Sequence, residues 1–433
     1  MHSTSRYNVA LDNGSGMILV NLLTDAILEV DSEHIAEVQA ILETPNEHTE
    51  AESFETLADL GFVVRSDFDE LAFLKLRHTL ARAGSEMLGL SILPTLRCNL
   101  RCVYCYEEHR NLDMDEEIQS RLLAFAQQRL QVKRGVRVSW FGGEPLLRRD
   151  IVRDVSKKLL QLCETSSSTY EAQITSNGYL LDRPAAEELA SLGVSSVQVT
   201  LDGPASTHDA RRILPSGEGT YERVLGNVLA IADLMDVRIR VNLDQETARY
   251  ALELLDDLDP VSNSVAVAFR AVVPTEQSAA DNLTCFSNRE FSPIERSLVR
   301  EASRRGFRTL DGYAHPGSAY CGAYQFDTHI VDPRGDVFAC VQDVGRHADR
   351  TGTLAEDGKL VHNYPVLLPW ASWSPFEDEA CLECNILPIC MGGCLKERDD
   401  CVETRCKFKY DLEERIRQSI KVASLTVGEG VEA

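Results

Sequence analysis

The chain has 433 residues, 44% of them hydrophobic, which predicts two or three domains with sizeable cores. Its formal net charge of −24 argues against binding to the phosphate backbone of nucleic acids. No run approaches the ~20 apolar residues of a membrane span and the N-terminus has no signal peptide, so we expect a cytoplasmic protein without membrane contact. In that compartment, thirteen cysteines indicate metal binding rather than disulfides.

The N-terminal block predicts a small α+β domain. Residues 17–30, "MILVNLLTDAILEV", indicate two short strands around a turn, followed by helical patterns over 33–42 and 54–60 and a closing strand at "GFVV". Between Asp25 and Glu70 there are fourteen acidic residues and one basic residue, Arg65. Such a charge run is most simply a solvated surface.

From Leu88 onward, β-rich runs alternate regularly with stretches of helical periodicity, which predicts six β/α units and a parallel sheet. The strand runs are "LGLSILPT", "RVSWF", "EAQITSNG", "SVQVTLDG", "VRIRVNLD" and "SVAVAFRAV"; the helical stretches are 115–131, 151–165, 184–192, 221–234 and 247–258. In such sheets the chemistry gathers at the carboxyl ends of the strands. Cys163 falls inside a helical apolar pattern and is predicted to be a core residue.

After residue 311 the alternation stops, and eight of the thirteen cysteines lie between Cys321 and Cys406. A region so poor in apolar runs needs bound metal to hold its fold. We therefore predict three domains, comprising residues 1–80, 81–312 and 313–433.

Three cysteines lie on one short loop, with the spacing Cys98-x3-Cys102-x2-Cys105. A structural zinc ion would require four protein ligands in two spaced pairs, and no fourth cysteine or histidine pairs locally with these three. A [4Fe–4S] cluster has four irons, so three thiolates leave one iron open to a ligand that is not protein.

This motif, with Tyr104 before its last cysteine, resembles that of the radical S-adenosylmethionine (SAM) enzymes, whose partial (β/α)6 barrel suits the six predicted units. The resemblance implies that the three cysteines hold a cluster whose open iron chelates SAM, and that Tyr104 lies against adenine. It also implies that one electron cleaves SAM to methionine and a 5′-deoxyadenosyl radical, which abstracts hydrogen from the substrate.

The resemblance extends to polar residues at the strand ends. "GGEP" would face the SAM amino group, with Glu144 supplying negative charge, and Arg212 would pair with the SAM carboxylate. Taken singly, each of these residues is more often a turn or cap residue. Their shared position at one edge of the predicted sheet is what supports the resemblance. The SAM contacts implied in this way are Tyr104, Gly142, Gly143, Glu144, Pro145, Ser176, Asn177, Thr200, Arg212 and Asn242.

The C-terminal cysteines resemble the SPASM extension of radical SAM enzymes, which carries two auxiliary Fe–S clusters. The resemblance assigns Cys381, Cys384, Cys390 and a late cysteine, Cys406 or alternatively Cys401, to one cluster. It assigns Cys321, Cys340 and Cys394 to the other cluster. The fourth ligand of that cluster would be Cys401 or Cys285, or the cluster would have no fourth protein ligand. Three [4Fe–4S] clusters and SAM are the cofactors expected. A pair of zinc sites is the alternative that the C-x2-C spacing alone would favour.

SPASM enzymes mostly modify peptides or proteins, and residues 16–66 resemble in pattern the winged-helix element by which peptide maturases bind a leader peptide. We therefore expect a maturase of ribosomally made (RiPP) precursor peptides that forms a thioether or carbon–carbon crosslink. The expected partners are a precursor peptide with its leader and a one-electron donor such as flavodoxin or ferredoxin.

Two alternatives remain. In sulfatase-maturating enzymes an aspartate directly follows the second SPASM cysteine, whereas here Val341 follows Cys340 and the nearest acid is Asp343. A non-catalytic Fe–S scaffold or electron-transfer protein would leave the strand-end motifs unexplained. Weak candidates for a catalytic acid or base are Asp343, Tyr320 and Tyr324, whereas Asp332 and Asp336 flank a "DPRGD" turn and are read as turn formers.

Overall fold

The computed structural model describes residues 1–273, 283–310, 317, 321–397 and 412–417. Their contacts divide them into two compact units. The first unit combines residues 1–84 with 317, 321 and the described residues from 373 onward, and the second comprises residues 85–310 and 322–372. The three-domain division at residues 80 and 312 stays a prediction.

The N-terminal part of the first unit has the strand-strand-helix-helix-strand order predicted for residues 16–66, preceded by two more strands and followed by a third helix. Its elements are β1 (His2–Thr4), β2 (Asn8–Asp12), β3 (Gly16–Asn21), β4 (Ile27–Asp31), α1 (Ile35–Glu43), α2 (Phe54–Asp59), β5 (Val63–Arg65) and α3 (Glu70–Ala83). Strands β2, β3 and β4 form an antiparallel sheet, and β1 pairs with β5. The likeness to a winged helix stays a prediction.

Strand β3 is buried on both faces, which explains its unbroken apolar sequence. Alternate side chains of a strand point to opposite faces. Met17 and Leu19 therefore pack into a core with α1 and α2, whereas Ile18 and Val20 pack into a second core with Leu74 of α3.

The second unit is built on an eleven-stranded sheet. Its strands and those of a small ribbon are β6 (Met87–Ile92), β7 (Arg101–Cys102), β8 (Gly135–Trp140), β9 (Thr169–Ser176), β10 (Val194–Thr200), β11 (Arg212–Ile213), β12 (Asp236–Leu243), β13 (Val265–Ala271), β14 (Arg308–Thr309), β15 (Thr328–Val331), β16 (Asp336–Phe338), β17 (Gly352–Leu354) and β18 (Leu360–His362). Its helices are α4 (Glu116–Arg129), α5 (Arg149–Thr165), α6 (Arg183–Ser191), α7 (Ala205–Arg211), α8 (Tyr221–Ile231), α9 (Glu253–Leu258), α10 (Asn288–Arg304) and α11 (Tyr364–Ser372).

The six predicted strands are neighbours in chain order, β6-β8-β9-β10-β12-β13, and all pair in parallel. The sheet runs on through β14 at one end and through β15 to β18 at the other, so it is open. This α/β fold with a parallel core confirms the predicted fold class. Val265–Phe269 of β13 is buried throughout, as expected of a parallel strand that is covered on both faces, whereas β6 alternates between buried and partly exposed residues.

Helix α5 buries Val155, Leu159 and Cys163 at a four-residue spacing, which confirms Cys163 as a core residue. Helix α9 begins at Glu253, later than predicted, because the Asp244 carboxylate accepts hydrogen bonds from the backbone of the residues that follow it and forms a turn instead. None of the helices in the described part of the chain combines the length and apolar character needed to cross a membrane.

The cysteine-containing part of the first unit has two short helices, α12 (Glu379–Leu382) and α13 (Leu387–Cys390). Residues Phe376, Ile386, Leu387, Ile389 and Met391 pack into the core that contains Ile18, Val20 and Leu74. The N-terminal block and this segment therefore share one core.

Candidate functional site

The three-cysteine loop follows β6 at its carboxyl end and lines a cavity of about 360 Å³. The carboxyl ends of β8, β9, β10, β12 and β13 contribute the opposite walls. The residues predicted to contact SAM or metal that line it are Cys98, Cys102, Tyr104, Cys105, Gly142, Gly143, Ser176, Asn177, Thr200, Arg212 and Asn242.

A two-stranded ribbon joins the cysteine loop to the segment that follows α7. Strands β7 and β11 pair antiparallel, so that Cys102 lies directly opposite Arg212. The Val103 N–H donates to the Arg211 carbonyl at 3.1 Å and extends the connection. The ribbon therefore places a cation beside the middle cysteine.

The three thiols are not spaced as the ligands of a single zinc ion. Burial raises the pKa of Cys98 and of Cys105 to about 12 and raises that of Cys102, so a metal must displace protons to bind here. The three Sγ atoms do not all lie within 4.8 Å of one another. Tetrahedral zinc with Zn–S bonds of about 2.3 Å would hold its sulfurs about 3.8 Å apart.

Two glycines let the loop after β8 lie on the backbone that leads to Cys98. Gly142 has φ of +116°, and a Cβ atom there would lie 2.5 Å from the Thr95 carbonyl oxygen. A Cβ at Gly143 would lie 2.2 Å from the Arg97 carbonyl oxygen. Only glycine fits this close approach.

Glu144 lies beneath the cavity wall rather than in it. Its side chain is fully buried, and its carboxylate accepts hydrogen bonds from Leu146 N at 3.0 Å, Ser176 Oγ at 3.0 Å and Asn177 N at 2.7 Å. Burial raises its pKa. The carboxylate therefore ties the "GGEP" loop to the "TSNG" loop, and Gly142 and Gly143 are the part of the motif that reaches the cavity. Pro145 is likewise buried outside the lining.

Replacing Glu144 with alanine is expected to lower the melting temperature and weaken SAM binding. Two buried backbone N–H groups would lose their acceptor, at a cost of about 1–3 kcal/mol each. Glu144→Gln keeps one acceptor oxygen, so its melting temperature and SAM affinity should lie between those of Glu144→Ala and those of the unmodified protein. Thermal unfolding and equilibrium SAM binding measure the effect; an unchanged melting temperature in Glu144→Ala would contradict the bracing role.

The Tyr104 hydroxyl sits at the centre of a buried polar network. It donates to Asp202 Oδ2 and accepts from Arg212 Nη1 at 2.7 Å and Asn242 Nδ2 at 3.3 Å. The Arg211 guanidinium lies over its ring, 4.9 Å from the centroid. These contacts fix the ring of Tyr104 in the cavity wall.

Arg212 retains unused hydrogen-bonding capacity. Its Nε is buried and has no hydrogen-bond partner in the described part of the chain. Buried polar groups are nearly always paired, so this nitrogen marks a position for an acceptor from a ligand. The donor set fits SAM, whose carboxylate is such an acceptor.

Residues 92–258 match the radical SAM superfamily. A probable GTP 3',8-cyclase from Archaeoglobus fulgidus is 32% identical over 289 residues, which are 64% of this chain and 86% of that protein.

The chain belongs to the radical SAM superfamily.

Other relatives match this radical SAM chain over shorter stretches or in fold alone. A probable GTP 3',8-cyclase from Methanopyrus kandleri is 32% identical over 40% of this chain and 54% of its own length. Streptococcus suis SuiB bound to precursor peptide SuiA superposes with a TM-score of 0.52 at 17% identity, covering 93% of this chain and 98% of that one. Native anSMEcpe with bound AdoMet (SAM) and Kp18Cys peptide superposes with a TM-score of 0.59 at 19% identity. The match covers 77% of this chain and 99% of that one. Family membership implies SAM and a [4Fe–4S] cluster.

Sequence reasoning missed several polar residues of the radical SAM cavity. Gln198 and Arg240 lie two residues before Thr200 and Asn242 on the same strands, so the two-residue period of a strand could have identified them. Burial raises the pKa of Glu107, another lining residue, to about 7. Those missed are Tyr106, Glu107, His109, Gln198, Arg240 and Gln342.

The weak acid–base candidates do not line the cavity where the structure describes them. Asp343 is buried and accepts from Arg346 Nη2 at 2.8 Å, and Tyr324 packs on the Trp370 ring. Asp332 accepts from the backbone N–H groups of Arg334 and Asp336, as a turn former does.

The remaining cysteines of the radical SAM chain lie in both units. Cys381, Cys384, Cys390 and Cys394 belong to the first unit, where Cys390 is buried, and so does the exposed Cys321. Cys340 lies in the second unit beside the lining residues Val341 and Gln342, and Cys285 precedes α10. Tyr320, Cys401 and Cys406 lie outside the described residues.

Proposed function

We propose that this radical SAM enzyme is a peptide maturase, which removes hydrogen from a residue of a ribosomally made precursor and leaves a thioether or carbon–carbon crosslink. One observation carries the proposal. The chain that contains the three-thiol cavity also has an N-terminal α+β region that exposes apolar side chains to solvent.

Cys98, Cys102 and Cys105 would hold the catalytic cluster. When bound, the cluster supplies the electron that cleaves SAM and so generates the hydrogen-abstracting radical. Arg212 would donate to the SAM carboxylate through its free Nε. The hydrogen bonds of the Tyr104 hydroxyl would hold its ring in the part of the cavity wall that contacts adenine. An apolar wall that includes Phe141, Val272 and Val341 would exclude water from the reactive species.

The C-terminal cysteines would hold two auxiliary clusters of the SPASM type. The first set is Cys381, Cys384, Cys390 and Cys406, with Cys401 as the alternative; the second is Cys321, Cys340 and Cys394, completed by Cys401, Cys285 or no residue. Three cubane clusters correspond to about twelve irons per chain.

Residues 1–80 would bind the leader of the precursor, residues 81–312 would form the catalytic barrel and residues 313–433 the auxiliary-cluster domain. Phe73, Leu76 and Leu80 are exposed on one face of α3, and Phe68 is exposed just before it. Strands β4 and β5 each pair with one neighbour among the described strands, which leaves an edge for an extended peptide. The structure of SuiB, which superposes on this chain, is of a complex with precursor peptide SuiA. A cytoplasmic flavodoxin or ferredoxin would supply the electron.

A GTP 3',8-cyclase is the second candidate, favoured by the names of relatives that are 32% identical. The anaerobically reconstituted, dithionite-reduced enzyme should be incubated with SAM and either GTP or the peptide encoded by a short reading frame beside its gene. We expect 5′-deoxyadenosine and a loss of two hydrogens per crosslink from the peptide, measured by mass spectrometry. Conversion of GTP with an unchanged peptide would favour the cyclase instead.

A further inference from the structure

One face of the parallel sheet carries polar side chains into the three-thiol cavity. Thr175 on β9 is the register partner of Gln198 on β10. Thr200, two residues further along β10, is the register partner of Arg240 on β12. These residues and Asn242 share one face of the sheet, because side chains two residues apart on a strand point the same way, and all five line the cavity. Thr200 and Asn242 are predicted SAM contacts, which leaves the other three without an assigned role.

Arg240 brings a cation into this cavity and holds it in a fixed direction. Its Nε donates to Asn242 Oδ1 at 2.8 Å, and the residue is partly buried. Its two Nη groups have no hydrogen-bond or ion-pair partner among the residues that the structure describes. The Nη edge of the guanidinium is therefore available to a ligand, with two donors spaced to bind both oxygens of a carboxylate.

The lack of an acidic partner distinguishes Arg240 from the other arginines of the six parallel strands. Each of the others forms an ion pair with a carboxylate. The pairs are Arg137–Glu171, Arg238–Asp236 and Arg270–Glu295. The chain has 68 acidic and 44 basic residues, so acidic partners are not scarce. We interpret the unpaired guanidinium as a site for an anion that the protein itself does not supply.

Gln198 and Thr175 extend this site with neutral groups. The Gln198 amide and the Thr175 hydroxyl line the cavity without a hydrogen-bond partner in the described ranges of the chain. Both groups donate and accept hydrogen bonds, so they suit the N–H and C=O groups of a peptide. Gln198 and Arg240 each lie two residues before a predicted SAM contact on the same strand, which places them about 7 Å further from the carboxyl end of that strand. They can therefore serve a ligand other than SAM.

The few cations in the cavity favour a single carboxylate over a nucleoside triphosphate. Arg212 and Arg240 are the only arginine or lysine residues of its lining within the described chain, and the free Nε of Arg212 is proposed to serve SAM. One guanidinium balances one carboxylate, whereas the several negative charges of a triphosphate call for more cations or a metal ion. The wall from the adjacent β13 is apolar, with Ala271 and then Val272. An acidic residue of a peptide fits this combination.

We propose that Arg240, with Gln198 and Thr175, binds the side-chain carboxylate of an Asp or Glu of the precursor peptide and so positions the residue that loses hydrogen. This inference rests on the proposed peptide maturase function and adds an acidic residue to the description of its substrate. Arg240 supplies the charge and two donors, and the neutral groups of Gln198 and Thr175 contact the adjoining peptide. Arg240 is thus a residue that determines substrate specificity.

The test combines changes in the enzyme with changes in the peptide. The full-length, anaerobically reconstituted enzyme is given SAM, dithionite and the peptide encoded by the short reading frame beside its gene, and kcat/KM is measured by mass spectrometry. Arg240→Gln should lower kcat/KM at least tenfold, because a charged hydrogen-bonded pair is lost. Replacing one particular Asp or Glu of the peptide with Asn or Gln should lower it by a similar factor. The two changes together should cost no more than either alone, since both remove the same contact.

Arg238→Gln is the matched control. Arg238 lies on the same strand, pairs with Asp236 and does not line the cavity, so its replacement should leave kcat/KM unchanged. A peptide with a C-terminal amide should be processed as well as the free acid, which separates a side-chain carboxylate from the terminal one.

Three results would overturn this inference alone. They are an unchanged kcat/KM in Arg240→Gln, a loss that adds in full to the loss at every acidic position of the peptide, and a loss that is shared only with the C-terminal amide. If the unmodified enzyme leaves the peptide unchanged, the proposed function fails and this inference fails with it.

Discussion

Replacing Cys98, Cys102 and Cys105 together with alanine is expected to abolish 5′-deoxyadenosine formation. The three thiols line one cavity with the unpaired Nε of Arg212, and no other described thiol lines it. Without them neither a cluster nor an iron-bound SAM can form there. Iron content should fall by about four atoms per chain, and chromatography of the quenched reaction should show no 5′-deoxyadenosine.

Cys163→Ala is the matched control for this triple variant. Cys163 is buried in α5 and packs in the core of the second unit, so its replacement should leave both iron content and SAM cleavage in place. Persistent 5′-deoxyadenosine formation by the triple variant would contradict the assignment of the loop as the catalytic cluster site.

Deleting residues 1–80 is expected to disrupt the Cys381–Cys390 segment as well as any leader-binding surface. Half of the buried residues in their shared core, including Leu22 and Leu74, come from the deleted part. Each fully buried Leu contributes about 1.5–3 kcal/mol through burial. The truncated protein should therefore lose iron and solubility, measured by iron analysis and sedimentation. A soluble truncation with its full iron content would show that the segment folds without this core.

Because of that shared core, leader binding is better tested on the surface of the intact chain. Leu76 is 55% exposed on α3, so Leu76→Asp should leave the fold and SAM cleavage intact while reducing peptide modification at least tenfold. Val132→Asp, at a residue 75% exposed in the barrel unit, is the matched control. Equal peptide turnover in the two variants would show that α3 is not part of the surface that binds the leader.

The parallel sheet could be predicted from the sequence because its strands are β-rich runs that alternate regularly with stretches of helical periodicity. The cysteine loop could be placed because it directly follows one of those strands. Helix α10 was missed because Pro293 interrupts its pattern, although Ser287 and Glu290 form a capping box at its start.

Features that depend on contacts distant in sequence could not be predicted. The pairing of Thr328 with Gly89, which attaches β15 to β6, leaves no local pattern. The same holds for the buried position of Glu144 and for Asp202, which organises Tyr104 and Asn242. Glu144, for example, was predicted as a SAM contact but braces the loop after β9 instead.

The double burial of β3 has a consequence for biosynthesis. Its Ile18 and Val20 face is covered partly by residues 376–391, which leave the ribosome roughly 360 residues after the strand itself. At ordinary elongation rates of about 5–20 residues per second, that face stays incompletely covered for roughly 20–70 s. The N-terminal block therefore completes its native packing only near the end of translation, and during this interval its apolar strand is a natural binding segment for nascent-chain chaperones.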